Sequence, residues 1–163
     1  MPFEDTIAAI ATPPGVGGIG IIRISGAQSE AIARLLYRSP KGSVSFKSHH
    51  LYHGRIISPA TGLILDEVLI TLMRKPHSYT GEDLLEIHGH GNPLILEAVL
   101  TEAIRAGARL AAPGEFTRRA FLNNRIDQEG FLNFFRDLVE FVENPYETGF
   151  RYSSFLLGYG KRH

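Results

Sequence analysis

The side chains best suited to chemistry are concentrated in residues 78–93, SYTGEDLLEIHGHGNP. Residues 84–88 alternate in polarity like a half-buried strand, which sends Glu86 and His88 to one face and Leu85 and Ile87 to the other. The glycines that follow, and then Asn92 before a proline, predict a tight turn into a helix with Asn92 as its N-cap. This pattern fits one wall of a ligand site, and it fits equally a simple strand-to-helix connection whose histidines are solvated.

His88 and His90 could together supply two metal ligands. Further candidates are available in principle: His49, His50, His53 and Asp83. None of these residues has the helical i, i+4 spacing of a hydrolytic zinc motif. We therefore predict no metal site, and we expect a histidine at the end of a strand to form local hydrogen bonds.

Arg23 is another side chain that requires a partner. It lies in residues 19–25, IGIIRIS, a β-branched and alternating segment that predicts a strand. The alternation places Ile21 and Arg23 on one face, with Ile22 and Ile24 on the other. An arginine on an apolar strand must contact water, an anion or a carboxylate, because burying it without a partner is costly.

Arg118, Arg119 and Arg125 form a small basic cluster in and just after a predicted helix. Glu115 and Glu129 are close enough in sequence to compensate its charge. Surface charges of this kind contribute little to stability and are usually solvated. We therefore interpret the cluster as a solvated helix face.

Residues 15–20, GVGGIG, match the glycine pattern of a dinucleotide-binding loop. That loop must open a helix whose N-terminus faces the pyrophosphate. Here the sequence continues as a strand, so we do not predict a dinucleotide site. The phosphate-binding signature G-x-x-x-x-G-K-[ST] is absent as well, so we expect no direct binding of GTP or ATP by this chain.

The hydrophobic pattern predicts an α+β domain. Its mixed or antiparallel sheet has about five strands, at residues 5–12, 19–25, 51–57, 63–73 and 84–88. Two to three helices lie on the sheet, at residues 28–37, 93–106 and 113–122. We expect the helix at 28–37 to bury Ile32, Leu35 and Leu36. We also expect the strand at 63–73, whose apolar run is nearly continuous, to be covered on both faces.

Composition limits the class of protein. The chain has 163 residues, enough for one ordinary domain, and its 17 basic and 17 acidic residues cancel. The absence of cysteine excludes disulfides, thiolate metal sites and a cysteine nucleophile. No apolar run is long enough to span a membrane, and the N-terminus does not resemble a signal peptide. These features predict a soluble, cytoplasmic protein.

Three segments together resemble the N-terminal domain of MnmE (also called TrmE), a family of tRNA-modification GTPases. They are DTIAAIATPPGVGGIGIIRISG, SYTGEDLLEIHGHGNP and APGEFTRRAFLNNRID, in that order. The resemblance implies a folate-binding domain related to tetrahydrofolate-dependent one-carbon transferases. It also implies a homodimer that holds 5-formyltetrahydrofolate or another reduced folate near the dimer interface. In the full-length family, a GTPase domain and the flavoprotein MnmG complete a machine that modifies the wobble uridine of certain tRNAs.

The same resemblance implies folate contacts at Arg23, Glu86 and Arg125. The last is often lysine in the family, and arginine keeps its charge but not its shape. The N–H donors of a pterin ring suit a carboxylate, while the acceptors of the ring carbonyl and of the glutamate tail suit arginines. The apolar strand surface around Ile21 and Leu84 is expected to cover the ring.

The resemblance extends to residue 127. We therefore divide the chain into a folate-binding domain, residues 1–127, and a C-terminal helix and tail, residues 128–163, with no GTPase domain. Residues 128–143 predict a helix that Asp127 caps. Its apolar stripe consists of Phe131, Phe134, Phe135, Leu138, Phe141 and Val142.

These features predict a binding module that performs no catalysis on its own, and we assign no catalytic residue. A free-standing folate-dependent one-carbon transferase is an alternative. It would need a general acid or base, for which His88 and His90 are the nearby candidates. A degenerate fragment that acts only as a scaffold is a second alternative.

Overall fold

The computed structural model describes the backbone of residues 4–143 and the side chains of residues 4–136. Within these residues the chain forms seven strands and four helices. In chain order they are β1 (Ile7–Ile10), β2 (Gly17–Ser25), α1 (Ser29–Leu36), β3 (Tyr37–Arg38), β4 (Leu51–Ile57), β5 (Ile64–Met73), β6 (Leu84–Gly91), α2 (Pro93–Arg105), β7 (Arg109–Leu110), α3 (Glu115–Leu122) and α4 (Gln128–Glu143).

The strands form one sheet in the order β3-β4-β5-β6-β2-β1-β7. Neighbouring strands are antiparallel except β1 and β7, which run parallel. The predicted α+β class with a mixed sheet is therefore confirmed. The described sheet has seven strands rather than about five, because the two-residue strands β3 and β7 are added at its edges. Segments this short have no alternation from which they could be predicted.

Helices α1 and α2 form the hydrophobic core together with one face of the sheet. Ile22 and Ile24 of β2 lie on that face and are almost completely buried, as the alternation predicted. Burying each such side chain contributes about 1.5–3 kcal/mol. A Cβ at Gly20 would lie 2.5 Å from the side chain of Leu96, so α2 approaches β2 closely because residue 20 has no side chain.

Two predictions about burial were wrong. Leu35 is 43% exposed, because α1 turns Ile32, Ala33 and Leu36 toward the core instead. Strand β5 is not covered on both faces, since its residues alternate between buried and accessible and Leu69 is 40% exposed. The helices cover only one face of β5, so its outward-facing apolar side chains stay accessible.

Several local predictions are confirmed. The Asn92 side chain accepts a hydrogen bond from the Leu94 amide at 2.9 Å and caps α2. Gly107 follows that helix with a φ of 112°, a conformation that favours glycine. Strand β4 has the predicted bounds. The glycine-rich residues 15–20 run into β2 rather than into a helix, as predicted.

The face of the sheet turned away from α1 and α2 is called here the outer face. It carries Arg23 of β2 and, on β6, Glu86 and His88. Over β1 and β2 this face is partly covered by residues 78–83, by α3 and by the beginning of α4, from which Phe116 and Phe134 reach toward it. The outer face is therefore where a site can form.

Helix α4 is attached to α3 by aromatic contacts. The rings of Phe121 and Phe131 stack with their centroids 4.1 Å apart. Asp127 accepts a hydrogen bond from the Gly130 amide at 2.8 Å, which confirms it as the cap of α4. Phe134 is buried, whereas Phe135 is 40% exposed. The rest of the predicted apolar stripe, Leu138, Phe141 and Val142, lies outside the described side chains.

Candidate functional site

A buried ion pair joins β2 to β6 on the outer face. Arg23 and Glu86 are direct cross-strand neighbours. Both Nε and Nη2 of Arg23 donate to Oε1 of Glu86, at 3.0 Å and 2.7 Å. Arg23 is only 7% exposed and therefore needs a partner within the protein. Of the three partners expected for it, water, an anion or a carboxylate, the structure shows a carboxylate. Two of the three predicted folate-contact residues are thus adjacent.

The second carboxylate oxygen of Glu86, Oε2, contacts a histidine. Nε2 of His88 lies 3.0 Å from Oε2, on the same face of β6. Burial alone would raise the pKa of Glu86, but the hydrogen bond to His88 and the charge of Arg23 together hold it below its ordinary value. Glu86 therefore stays ionised at neutral pH. It is an acceptor in the site rather than a source of protons.

A cavity of about 210 Å³ lies beside Arg23, whereas Glu86 and His88 are not among the residues that line it. Arg23 contributes to its floor, and the rings of Tyr79 and Phe116 lie over the guanidinium, with centroids 5.4 Å and 6.0 Å from Cζ. The remaining walls are mostly small or apolar and come from β1, residues 111–117 and Phe134. The cavity thus combines aromatic surface with a buried cation and, on the α3 side, the carboxylate of Glu115. This arrangement suits a flat polar ring.

Arg125 occupies a different place from Arg23 and Glu86. Its Nε donates to the carbonyl of Ser78 at 2.9 Å, and nearby Asn123 donates to the carbonyl of Thr80 at 2.8 Å. Arg125 does not line the cavity. It lies against the segment that carries Tyr79 and is itself exposed, so it can meet only a part of a ligand that extends beyond the cavity.

The interpretation of the basic cluster as a solvated face was wrong for Arg119. Its side chain is completely buried, whereas Arg118 is exposed. Arg119 contacts carboxylates from three parts of the chain: Asp5 at 2.7 Å, Glu115 at 3.1 Å and Glu82 at 3.2 Å. It therefore ties the N-terminal segment and the residues around Tyr79 to α3.

Sequence reasoning missed Arg119, Tyr79 and Phe116 as residues that shape the site. The i, i+4 spacing of Glu115 and Arg119 was the only local signal for the buried network. The two aromatic residues lie inside the segments that carry the resemblance, but nothing in their spacing indicates that both cover Arg23.

The histidines considered as metal ligands point to separate carboxylates. His88 contacts Glu86, whereas Nδ1 of His90 lies 2.7 Å from Asp66, which also accepts a hydrogen bond from the His90 amide. Among the described residues, no three side chains of histidine, aspartate or glutamate converge as metal ligands. The two histidines instead have structural contacts on β6 and β5.

The carboxyl group of Glu115 has a strongly lowered pKa. Hydrogen bonds from Arg109 make the largest contribution to lowering the pKa from 4.5 to about 2. Burial acts in the opposite direction, whereas the hydrogen bonds from the Ala112 amide and Arg119 also lower the pKa. Because the folded pKa is the lower one, ionised Glu115 stabilises the fold above pH 4.5, and this contribution is lost as the pH falls toward 2.

We expect Glu115→Gln to lower the free energy of unfolding by roughly 2 kcal/mol at neutral pH. The variant should also show a shallower fall of stability with acidification below pH 4.5. Urea titrations at a series of pH values measure both effects. Glu129→Gln, at an exposed carboxylate of α4, is the matched control and should change neither. Parallel pH curves for the parent and Glu115→Gln would contradict the prediction.

Comparison with known proteins identifies the family. The family model described as the N-terminus of the GTP-binding protein TrmE matches residues 6–125. A tRNA modification GTPase MnmE from Syntrophus aciditrophicus is 60% identical over 125 residues, which cover 77% of this chain and 27% of that protein. The MnmE of Syntrophobacter fumaroxidans is 52% identical over 155 residues, 94% of this chain and 32% of that protein. The MnmE of Moorella thermoacetica is 56% identical over 127 residues, 77% of this chain and 28% of that protein.

The chain spans only about a third or less of the length of these relatives. Within residues 4–143, none of the helices combines the length and the apolar character needed to cross a bilayer. The matched residues contain β1 to β7, α1 to α3 and the Arg23–Glu86 pair, so the site lies within the family's own segment. The chain belongs to the MnmE (TrmE) family of tRNA-modification GTPases and corresponds to the N-terminal domain of that family.

Proposed function

We propose that this domain binds a reduced folate, such as 5-formyltetrahydrofolate, and dimerises, as the N-terminal module of a tRNA-modification GTPase. The whole protein would act in the cytoplasm with an MnmG-like flavoprotein and tRNA as its partners. The observation that carries the proposal is the cavity whose floor contains Arg23, held by Glu86 and covered by Tyr79 and Phe116.

The size of the cavity supports a ring as the part of the ligand that enters it. Its volume is about 210 Å³, below the roughly 300–1,000 Å³ of most pockets that hold a whole small molecule. A bicyclic pterin would fill a space of this kind. The aminobenzoyl-glutamate tail would then extend outside, where the exposed Arg125 offers a cation to its carboxylates.

The polar groups also suit a pterin. Oε1 of Glu86 already accepts two hydrogen bonds from Arg23, while Oε2 accepts one from His88 and keeps capacity for another. A donor N–H on the edge of the ring could use that capacity. Arg23 offers a fixed positive charge to the ring carbonyl, and its orientation depends on Glu86.

Exposed apolar side chains support dimerisation. Val16, Ile19 and Leu94 lie at one end of the β2–β6 pair and are 90%, 66% and 77% exposed. Large apolar side chains grouped on a surface often mark an interface. A second copy bound there would cover them. Arg125, which contacts Ser78, lies toward the opposite end of the pair, where Ser25 adjoins Leu84.

The proposal predicts saturable binding of 5-formyltetrahydrofolate by calorimetry and a dimeric mass by light scattering. Arg125→Ala should weaken folate binding by about 1–2 kcal/mol, because it removes one charge-assisted contact to the tail. Arg118→Ala, an exposed arginine of α3, is the control and should bind like the parent. A parent that shows no heat of folate binding would refute the ligand, and a monomer at tens of micromolar, with and without folate, would refute the dimer.

A second assay, of one-carbon release from the bound folate, tests whether the domain is a catalyst. His88 contacts Glu86, and an imidazole is a side chain of the kind that acts as a general acid or base. Release of the one-carbon group from bound folate, lost in His88→Gln, would favour a one-carbon transferase over a binding module.

A further inference from the structure

The charges of this chain are segregated along the sequence, although they cancel in total. Between Glu30 and Asp66 there are five lysines and arginines and three histidines, with no carboxylate. All 17 acidic residues lie outside this stretch or at its two ends. The stretch contains most of α1, then β3, β4 and the long loop that joins these two strands.

This stretch folds around two open hollows. A groove of about 670 Å³ lies between residues 39–47 and β4, and Lys41, Lys47, His50 and His53 line it. A smaller hollow of about 240 Å³ adjoins the same loop and includes Arg34 and Arg38. Among the described residues, no aspartate or glutamate lines either hollow. Positive side chains therefore share one surface, which we call the basic groove.

The positively charged side chains of the basic groove differ in whether a carboxylate of the protein already neutralises them. Lys41 and Lys47 are exposed and form no ion pair with any residue that the structure describes. Arg34 is neutralised by Glu30 at 2.6 Å, and His53 lies 2.7 Å from Glu67. Arg38 forms no ion pair with a described residue, but its guanidinium donates to three backbone carbonyls. The two lysines, which have no such contacts with described residues, are thus the principal charges offered to an external anion.

The loop holds these lysines in a defined position. Phe46 is buried between Tyr37 and Tyr52, with ring centroids 5.9 Å and 5.4 Å away. The Tyr52 hydroxyl accepts a hydrogen bond from the Lys47 amide at 2.8 Å and donates to the Ser45 carbonyl at 3.2 Å. A loop anchored in this way loses little conformational entropy when a ligand binds.

We infer that the basic groove is a docking surface for the phosphate backbone of RNA. Lysines and serine hydroxyls are typical contacts to phosphates, and Ser39, Ser43 and Ser45 line the groove beside the lysines. The exposed imidazole of His50 offers a surface on which an unstacked base can lie. The choice of tRNA as the RNA rests on the proposed function, because the relatives are tRNA modification GTPases.

The shape of the surface favours RNA over an anionic membrane. A bilayer binds protruding basic residues accompanied by an apolar side chain that inserts among the headgroups. The lysines here flank a concave groove rather than protrude, and Phe46 of the adjoining hollow is buried in the core. Leu51 is the one large apolar side chain of the lining that is strongly exposed. A narrow polyanion such as a nucleic-acid strand fits this geometry better.

The test is a titration of the full chain with fluorescently labelled bulk tRNA, followed by anisotropy between about 50 mM and 200 mM salt. We expect saturable binding that weakens with salt. Lys41→Ala/Lys47→Ala should lose about tenfold or more in affinity at the lower salt. The slope of log Kd against log[salt] should fall by about 1.5, because two phosphate contacts are removed.

Lys75→Ala/Arg118→Ala is the charge-matched control, since both residues are exposed and lie outside the basic groove. It should bind tRNA like the parent, and both double variants should melt like the parent and bind 5-formyltetrahydrofolate unchanged. No saturable tRNA binding by the parent, or equal losses in the two double variants, would overturn the inference. Lysine-dependent binding to phosphatidylserine vesicles without binding to tRNA would overturn it as well. A failure of folate binding alone would refute the proposed function and leave the tRNA result standing.

Discussion

Replacing Arg119 by alanine is expected to lower the free energy of unfolding by about 3–5 kcal/mol. Arg119 is fully buried and is the common partner of Asp5, Glu82 and Glu115. Without it these carboxylates repel one another, and those that are shielded from water lose their counter-charge. Breaking a buried ion pair by removing one partner is strongly destabilising for this reason.

Chemical denaturation of the variant beside Arg118→Ala measures the effect. Arg118 is the neighbouring arginine on α3 but is exposed, so its substitution should stay within about 0.5 kcal/mol of the parent. Arg119→Ala should also weaken folate binding, because the segment that carries Tyr79 loses its tie to α3. If the two variants unfold at the same denaturant concentration, the network does not hold the fold together.

Glu86→Gln is expected to weaken folate binding by about a hundredfold, roughly 3 kcal/mol. Glutamine keeps the shape of the side chain but replaces one acceptor with a donor. That donor would face either the N–H groups of Arg23 or the ring of His88. Arg23 would then no longer have a charged acceptor, and its guanidinium would not be held in the same orientation. Charge-assisted hydrogen bonds of this kind contribute about 1.5–3 kcal/mol each.

Because Glu86 also holds a buried arginine, Glu86→Gln should cost about 2 kcal/mol of stability as well. Folate titration must therefore be done far below the melting temperature, and thermal melts must accompany it. Glu67→Gln is the matched control: Glu67 is an exposed strand glutamate that likewise contacts a histidine, His53. Unchanged folate affinity in Glu86→Gln would show that the ligand binds elsewhere.

The sequence predicted those features of the site that depend on local alternation. Glu86 and His88 share a face because strand side chains repeat every two residues, and the same rule placed Arg23 opposite the core. The cap at Asn92 and the start of α4 after Asp127 also follow from neighbouring residues. In each case the information lies within a few positions of the residue concerned.

Features that depend on distant partners were not predictable in this way. The register that brings Arg23 next to Glu86 joins residues 63 apart in sequence, and the contact between Arg119 and Asp5 joins residues 114 apart. The edge strands β3 and β7 exist only through pairing with β4 and β1. The exposure of Leu69 likewise depends on which face of the sheet the helices cover, and a continuous apolar run cannot specify that.

The parallel pairing of β1 with β7 has a consequence for the order in which this domain can fold. Strand β1 starts at Ile7, yet its outer neighbour is formed by Arg109 and Leu110, and the Arg109 amide donates to the carbonyl of Thr6. On a ribosome that adds about 5–20 residues per second, one edge of β1 therefore stays without its partner strand for several seconds. Contacts of such long sequence separation also slow folding from the denatured state. Strand β1 can pair with β2 as soon as residue 25 is available, but its outer edge stays open to pairing with other chains until residues 109–110 follow.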